Sequence, residues 1–86
     1  MTKVIKFYAD WCGPCRVYGK AWDKVVEELN DVVEFQEVNI EQDTSGLAAE
    51  YKVDGIPHTV VHKINGSTEE RGGRMSVEQL KEFILH

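Results

Sequence analysis

An α/β fold in the order β-α-β-α-β-β-α, with a four-stranded mixed sheet flanked by helices, is what these 86 residues predict. Three observations carry that reading. Short runs of aromatic and β-branched residues alternate with stretches of helical periodicity, the pattern of strand–helix–strand units. An Asn65-Gly66 pair stands between two strand-like runs late in the chain and signals a hairpin. Ser76-Val77-Glu78-Gln79 then forms a capping box that opens a final amphipathic segment. The β-α-β start implies a right-handed parallel crossover, and the hairpin adds an antiparallel edge.

Residues 4–9 are short and apolar and stop at Asp10, which gives the first strand. Pro14 suits the first turn of a helix, where its missing N–H is one of the unpaired donors anyway. From Cys15 to about Leu29, Val17, Tyr18, Ala21, Trp22, Val25 and Val26 recur at three-and-four spacing and predict a long amphipathic helix. Asn30-Asp31 ends it, and residues 32–40 give the second strand. Asp43 or Thr44 is placed to cap a short helix over residues 45–51, with Leu47, Ala48 and Tyr51 inward. Residues 53–57 read as a turn, 59–64 as the third strand and 68–71 as the fourth. Gly72-Gly73 breaks that strand, and Val77, Leu80, Phe83 and Ile84 form the inner face of the last helix. No repeat, low-complexity tract or linker interrupts this order, so residues 1–86 are expected to be one domain.

A net charge of −5 argues against a nucleic-acid or anionic-membrane surface, because phosphate binding needs a clustered positive face. No stretch approaches the ~20 apolar residues of a spanning helix. The N-terminus reads directly as a strand, without the charged and apolar regions of a targeting segment. The expected setting is therefore a reducing cytoplasm, where a cysteine pair is more often catalytic than structural.

That pair is Cys12-Gly13-Pro14-Cys15, led by Trp11 and placed between the first strand and the first helix; the chain has no other cysteine. A bridge across so few residues would stabilise by only ~2 kcal/mol on loop-entropy grounds, against ~3 for fifteen residues, so a structural staple is a weak reading. A zinc half-site needs a second close pair of ligands, and His58, His62 and His86 are scattered, so no metal and no bound cofactor are expected. Redox chemistry has positive support. A sulfur at a helix N-terminus meets unpaired N–H groups and the helix dipole, which favour the attacking thiolate. Cys12 then attacks, and Cys15, one turn in and shielded, resolves the mixed disulfide. Gly13 and Pro14 keep the turn tight and fix φ at the helix start.

Trp11-Cys12-Gly13-Pro14-Cys15, preceded by Phe7-Tyr8-Ala9, together with Gly55-Ile56-Pro57 some forty residues later, resembles the thioredoxin family. Val38-Asn39-Ile40, the 49–53 segment, Asn65-Gly66 and the Gly73 turn extend the likeness over essentially the whole chain, in a minimal form without the usual first strand and helix. The resemblance implies a thioredoxin-like fold and a protein-disulfide reductase with a redox-active Cys12–Cys15 disulfide. It implies a monomer whose partners are disulfide-bearing proteins and a thioredoxin reductase drawing on NADPH. It further implies a cis Pro57 against the sulfurs, an Ile56 backbone that pairs with an extended substrate, and Trp11 and Gly73 flanking the docking groove. From the residues alone, Gly55-Ile56-Pro57 is only a turn.

The chain departs from that pattern most at Lys6 and Glu37. Lys6 falls in phase with Val4 and Tyr8 along the first strand, and Glu37 with Val33 and Phe35 along the second. Each is a charge on an apolar face, and neighbouring strands would let them pair. Thioredoxins usually carry an acid at the first position, beneath the dithiol, and a lysine at the second. Glu37, or Lys6 in its neutral form, is expected to take the proton work usually given to that acid; the alternative is a solvated edge-strand pair. Lys20 stands where a kinking proline is common, beside Gly19, so no bend is required. His58 follows Pro57 where threonine is common, and either tunes the thiolate or packs in the groove.

Two other functions fit parts of the chain. A glutaredoxin-like, glutathione-dependent reductase is suggested by Gly72-Gly73, although the Gly13-Pro14 dipeptide argues against it. A binding subunit with incidental thiols would need an exposed apolar stripe, which the periodicity does not supply.

Overall fold

The computed structural model describes residues 1–86, which build β1 (Thr2–Tyr8), α1 (Gly13–Leu29), β2 (Val33–Asn39), α2 (Leu47–Glu50), β3 (His58–His62), β4 (Thr68–Gly72) and α3 (Val77–Leu85). The sheet runs β2-β1-β3-β4. β1 pairs in parallel with β2 and antiparallel with β3, and β4 pairs antiparallel with β3. The expected mixed four-stranded sheet is therefore present. β1 is buried continuously from Val4 to Phe7 because it is central and covered on both faces.

On one face, α1 and α3 lay Tyr18, Trp22, Val25, Leu80 and Ile84 over Val4, Val33 and Val61. On the other, α2 and the chain after it lay Leu47, Ala48, Tyr51 and Val53 over Ile5, Phe7, Val38 and Val60. Trp22 stands edge-on to Phe35 at 5.3 Å and to Tyr18 at 6.2 Å, arrangements that aromatic quadrupoles favour. No helix is long and apolar enough to cross a membrane.

Tyr18 ties the α1 face to β3 through a 2.7 Å hydrogen bond between its hydroxyl and Thr59 Oγ1, both residues being fully buried. Burial pushes the phenol up to about 12, against the smaller opposing effects of the Thr59 bond and the Arg71 charge. Below pH ~10 the phenol is protonated whether the chain is folded or not, and its contribution is complete. Between pH ~10 and the folded value, only the unfolded chain releases the proton, and stability falls by about 1.4 kcal/mol per pH unit. Tyr51 is raised in the same direction, first by desolvation and then by Glu50 and Glu70. Tyr18→Phe is expected to cost about 1–2 kcal/mol at neutral pH by leaving Thr59 unpartnered. It should also flatten the alkaline limb of a denaturation-midpoint profile against pH; a limb as steep as wild type would refute the assignment.

The local differences from the expected elements have local causes. β1 begins two residues early because the parallel register matches Thr2 with Val33. Ala9 leaves the strand and accepts the Cys12 N–H at 3.2 Å, turning the chain at Asp10 and Trp11. α1 starts at Gly13 because Cys12, not a residue further on, is its N-cap, and it continues to Leu29 past Gly19 and Lys20. α2 is only Leu47–Glu50, and Gly46 at φ 79° precedes it with no side-chain cap. Asp43 instead gathers the N–H groups of Ser45, Gly46 and Ala48 and the Ser45 hydroxyl, which holds its carboxyl below the usual range. These bonds order the loop before the helix. After α2, Lys52 (φ 53°) donates to Ala49 and Val53 to Ala48, a paired closure that more often uses glycine.

β3 runs from His58 to His62 rather than over residues 59–64, since β1 and β4 pair with those five residues. The expected hairpin is present, with a longer turn. Gly66 N–H donates to Lys63 at 3.0 Å, and Gly66 alone takes positive φ, 92°, so Ile64-Asn65-Gly66 is a three-residue loop. Gly72 closes β4 rather than breaking it. The Ser76–Gln79 capping box forms as expected, with reciprocal bonds of 3.1 and 2.9 Å.

Candidate active site

The turn between β1 and α1 carries the two cysteines, because β1 ends at the sheet's centre and α1 starts over it. They are joined as a disulfide with Cα atoms 5.2 Å apart. Cys12 is the N-cap of α1, and its Sγ accepts the Cys15 N–H at 3.2 Å. An N-cap serine or aspartate makes this same bond to the third helical residue, so the site supplies a donor wherever charge develops on that sulfur. Cys12 and Cys15 pack with Ala9, Tyr8, Ile40 and Ile56, between the two faces of the core.

Cys15 is shielded as expected, at 5% exposed, but Cys12 at 4% is equally buried, so burial does not distinguish the two. The spaces they face do distinguish them. Cys12 lines a groove of about 400 Å³ between residues 11–14 and residues 53–56, with Ile40 between them. Trp11, 63% exposed because the Ala9–Cys12 turn throws it outward, forms one wall. Gly13 and Pro14 continue that wall, and Ile56 stands opposite, its carbonyl oxygen 3.9 Å from Cys12 Sγ. The Ile56–Pro57 bond is cis, and Ile56 lies outside every strand with neither its N–H nor its C=O bonded to another backbone group.

Cys15 lines a separate cavity with Lys6, Asp10, Arg16, Asp23 and Glu37, floored by Gly19. Lys6 and Glu37 are register partners on β1 and β2, and Nζ meets Oε1 at 3.0 Å. The pair is asymmetric. Lys6 is only 4% exposed, and its ammonium lies 5.0 Å from the Trp22 ring centre and 5.2 Å from that of Tyr8. Such ring faces stabilise a cation that has lost its water. Glu37, on the sheet's outer strand, keeps 49% of its side chain exposed. Thus the expected pair forms, and only its acidic half is solvated.

Two other expected residues stand apart from the groove. Gly73 (φ 88°) donates its N–H to Pro57 at 2.8 Å, bracing the loop from behind, and is not among the groove walls. His58 bonds Glu70 on β4 at 2.8 Å and packs on Phe7, with ring centres 6.2 Å apart. Its ring is thereby turned to β4 and does not line the space beside Cys12. No group of three or more His, Cys, Asp or Glu is placed to hold a metal ion. A cavity of about 430 Å³ between β4 and α3, lined by Lys63, Glu69, Arg71 and Phe83 among others, contains neither sulfur.

Of the Cys15 cavity, Lys6 and Glu37 were expected from the sequence, whereas its α1 wall was not. The signal was present: Cys15, Gly19 and Asp23 are spaced four apart and so share one face of α1. That Val53, Asp54 and Gly55 line the groove with Trp11 was not readable, since it depends on where a non-regular loop crosses the helix N-terminus.

A family model described as Thioredoxin matches residues 1–86. The chain is 30% identical over 81 residues to the thioredoxin of Mycoplasmoides gallisepticum, covering 94% of this chain and 79% of that protein. It is 33% identical over 81 residues to the mitochondrial thioredoxin of Bos taurus, covering 94% of this chain and spanning 48% of that protein. The X-ray structure of Fasciola hepatica thioredoxin is similar with a TM-score of 0.82 at 32% identity, over 96% of this chain and 77% of that one. A chloroplastic thioredoxin z reaches 0.84 at 22% identity, over 96% and 74%, a likeness of fold.

Proposed function

The chain belongs to the thioredoxin family, and on that premise we propose that it is a thiol–disulfide oxidoreductase that reduces protein disulfides. The observation that carries this is Cys12 at the α1 N-cap, its sulfur bonded to the Cys15 N–H and set in an open groove. In the reduced chain, Cys12 thiolate attacks one sulfur of a substrate disulfide. That S–S bond breaks, a mixed disulfide forms, and the departing substrate sulfur takes a proton. Cys15 then loses its proton and attacks Cys12 Sγ, expelling the second substrate sulfur. Two electrons and two protons pass to the substrate, and the Cys12–Cys15 disulfide remains.

Trp11, Gly13, Pro14 and Ile56 are the groove residues that would hold the substrate, with Pro57 and Gly73 bracing the Ile56 loop. The free N–H and C=O of Ile56 suit strand addition by an extended segment. The Lys6–Glu37 pair would handle the Cys15 proton: Lys6 stabilises the thiolate and half-exposed Glu37 exchanges the proton with water. The working setting is a reducing compartment such as the cytoplasm, with the chain acting as a monomer. Electrons would come from a thioredoxin reductase and, behind it, NADPH. Gly73 does not favour a glutathione-dependent reading, because its N–H is already engaged by Pro57.

An insulin-precipitation assay tests the reading, with thioredoxin reductase and NADPH in one tube and glutathione in another. Precipitation should be rapid in the first and slow in the second. The reverse order would overturn the dithiol assignment in favour of the glutathione-dependent one.

A further inference from the structure

The groove beside Cys12 contains one ionisable side chain besides the cysteine, that of Asp54. Asp54 is exposed and belongs to none of the molecule's ion pairs. No Lys, Arg or His lines the groove to balance it, and its other walls are apolar or glycine. Two residues on, Ile56 offers the free N–H and C=O that suit an extended peptide. A peptide laid there would bring the residues next to its cysteine close to the Asp54 carboxylate.

We propose that Asp54 makes the groove select disulfide-bearing segments with a lysine or arginine beside the target cysteine, and reject those with an acid there. This rests on the reductase reading and names its substrate class. The residue acts on binding and orientation and touches no reacting atom. Asp54 is exposed, so the preference is that of a solvated pair, at most about fivefold at 4 Å for each sign of charge. It is expected to weaken as salt is added, because one partner remains at the groove's rim.

The test uses two disulfide-linked peptides, identical except for Lys or Glu beside the cysteine, reduced in single turnovers by the pre-reduced chain at low ionic strength. The Lys peptide should react about 5–10 times faster with the wild type, from the same Coulomb arithmetic. The ratio should fall to about 1–2 in Asp54→Asn and drop below one in Asp54→Lys. Glu78→Gln, which removes an equal charge on α3, separates local from overall charge. Its ratio should stay at the wild-type value. Equal rates for both peptides with the wild type, or equal falls in Asp54→Asn and Glu78→Gln, would overturn the proposal while leaving the reductase reading intact. Reduction of neither peptide would overturn both.

Discussion

Cys12→Ser is expected to abolish disulfide reduction, by at least about a thousandfold, whereas Cys15→Ser is expected to stop the reaction halfway. A serine at the N-cap preserves the bond to the Cys15 N–H and so keeps α1 and the groove intact. What it removes is the sulfur whose charge that N–H stabilises, and a serine hydroxyl stays protonated at neutral pH. Loss of rate with a thermal midpoint unchanged from that of the reduced wild type would therefore assign Cys12 to the chemistry and not to the fold. In Cys15→Ser the attacking sulfur remains, but nothing displaces the substrate from it. The variant should accumulate a covalent adduct with its substrate, visible as a mass increase on a non-reducing gel and reversed by dithiothreitol. Multiple turnovers by Cys15→Ser with glutathione present would instead establish a one-cysteine route and defeat the dithiol mechanism.

The two cysteines, the helix behind them and the order of all seven elements were legible in the sequence, because each rests on local chemistry. Periodicity in α1, the Ser76–Gln79 box and the Asn65-Gly66 pair act within a few residues of themselves. Element ends were less legible, for they depend on partners. β1 extends to Thr2 only because Val33 is opposite, and β3 stops at His62 where β4 pairing ends. The short helix was over-read because Asp43 looked like an N-cap, whereas its carboxylate folds the loop three residues earlier. At the site, charge parity along β1 and β2 gave the Lys6–Glu37 pair, but not which half is buried. That depends on strand order, which leaves β2 at the edge and β1 in the centre. The separation of the sulfurs into two spaces depends on how α1 crosses the 53–56 loop on one side and the strand ends on the other. No local signal encodes those crossings.

Lys6→Met is expected to move the acid–base behaviour of Cys15 while leaving the fold standing. Methionine matches the lysine stem in length and lies well against Trp22 and Tyr8, so loss of the half-buried ion pair should be close to neutral for stability. The cation, however, shares a cavity with Cys15, together with Glu37, Asp23, Asp10 and Arg16. Removing it leaves three carboxylates and one guanidinium around a sulfur that must become anionic to resolve the mixed disulfide. An opposite charge at short range favours an ionised group by about 1–3 pH units, so thiolate formation at Cys15 should shift upward by roughly one unit or more. The resolving step at neutral pH should slow about threefold, since each pH unit leaves about tenfold less thiolate but makes that thiolate about threefold more nucleophilic. Glu37→Gln should act in the opposite sense on the titration, because it leaves Lys6 uncompensated beside Cys15. It should nevertheless slow proton exchange with solvent, so that resolution becomes sensitive to added buffer. Iodoacetamide alkylation of Cys15 in a Cys12→Ser background gives the titration free of the first sulfur, and single-turnover resolution gives the rate. Titration curves and resolution rates indistinguishable from wild type in both variants would reduce the pair to a strand-to-strand contact with no share in the chemistry.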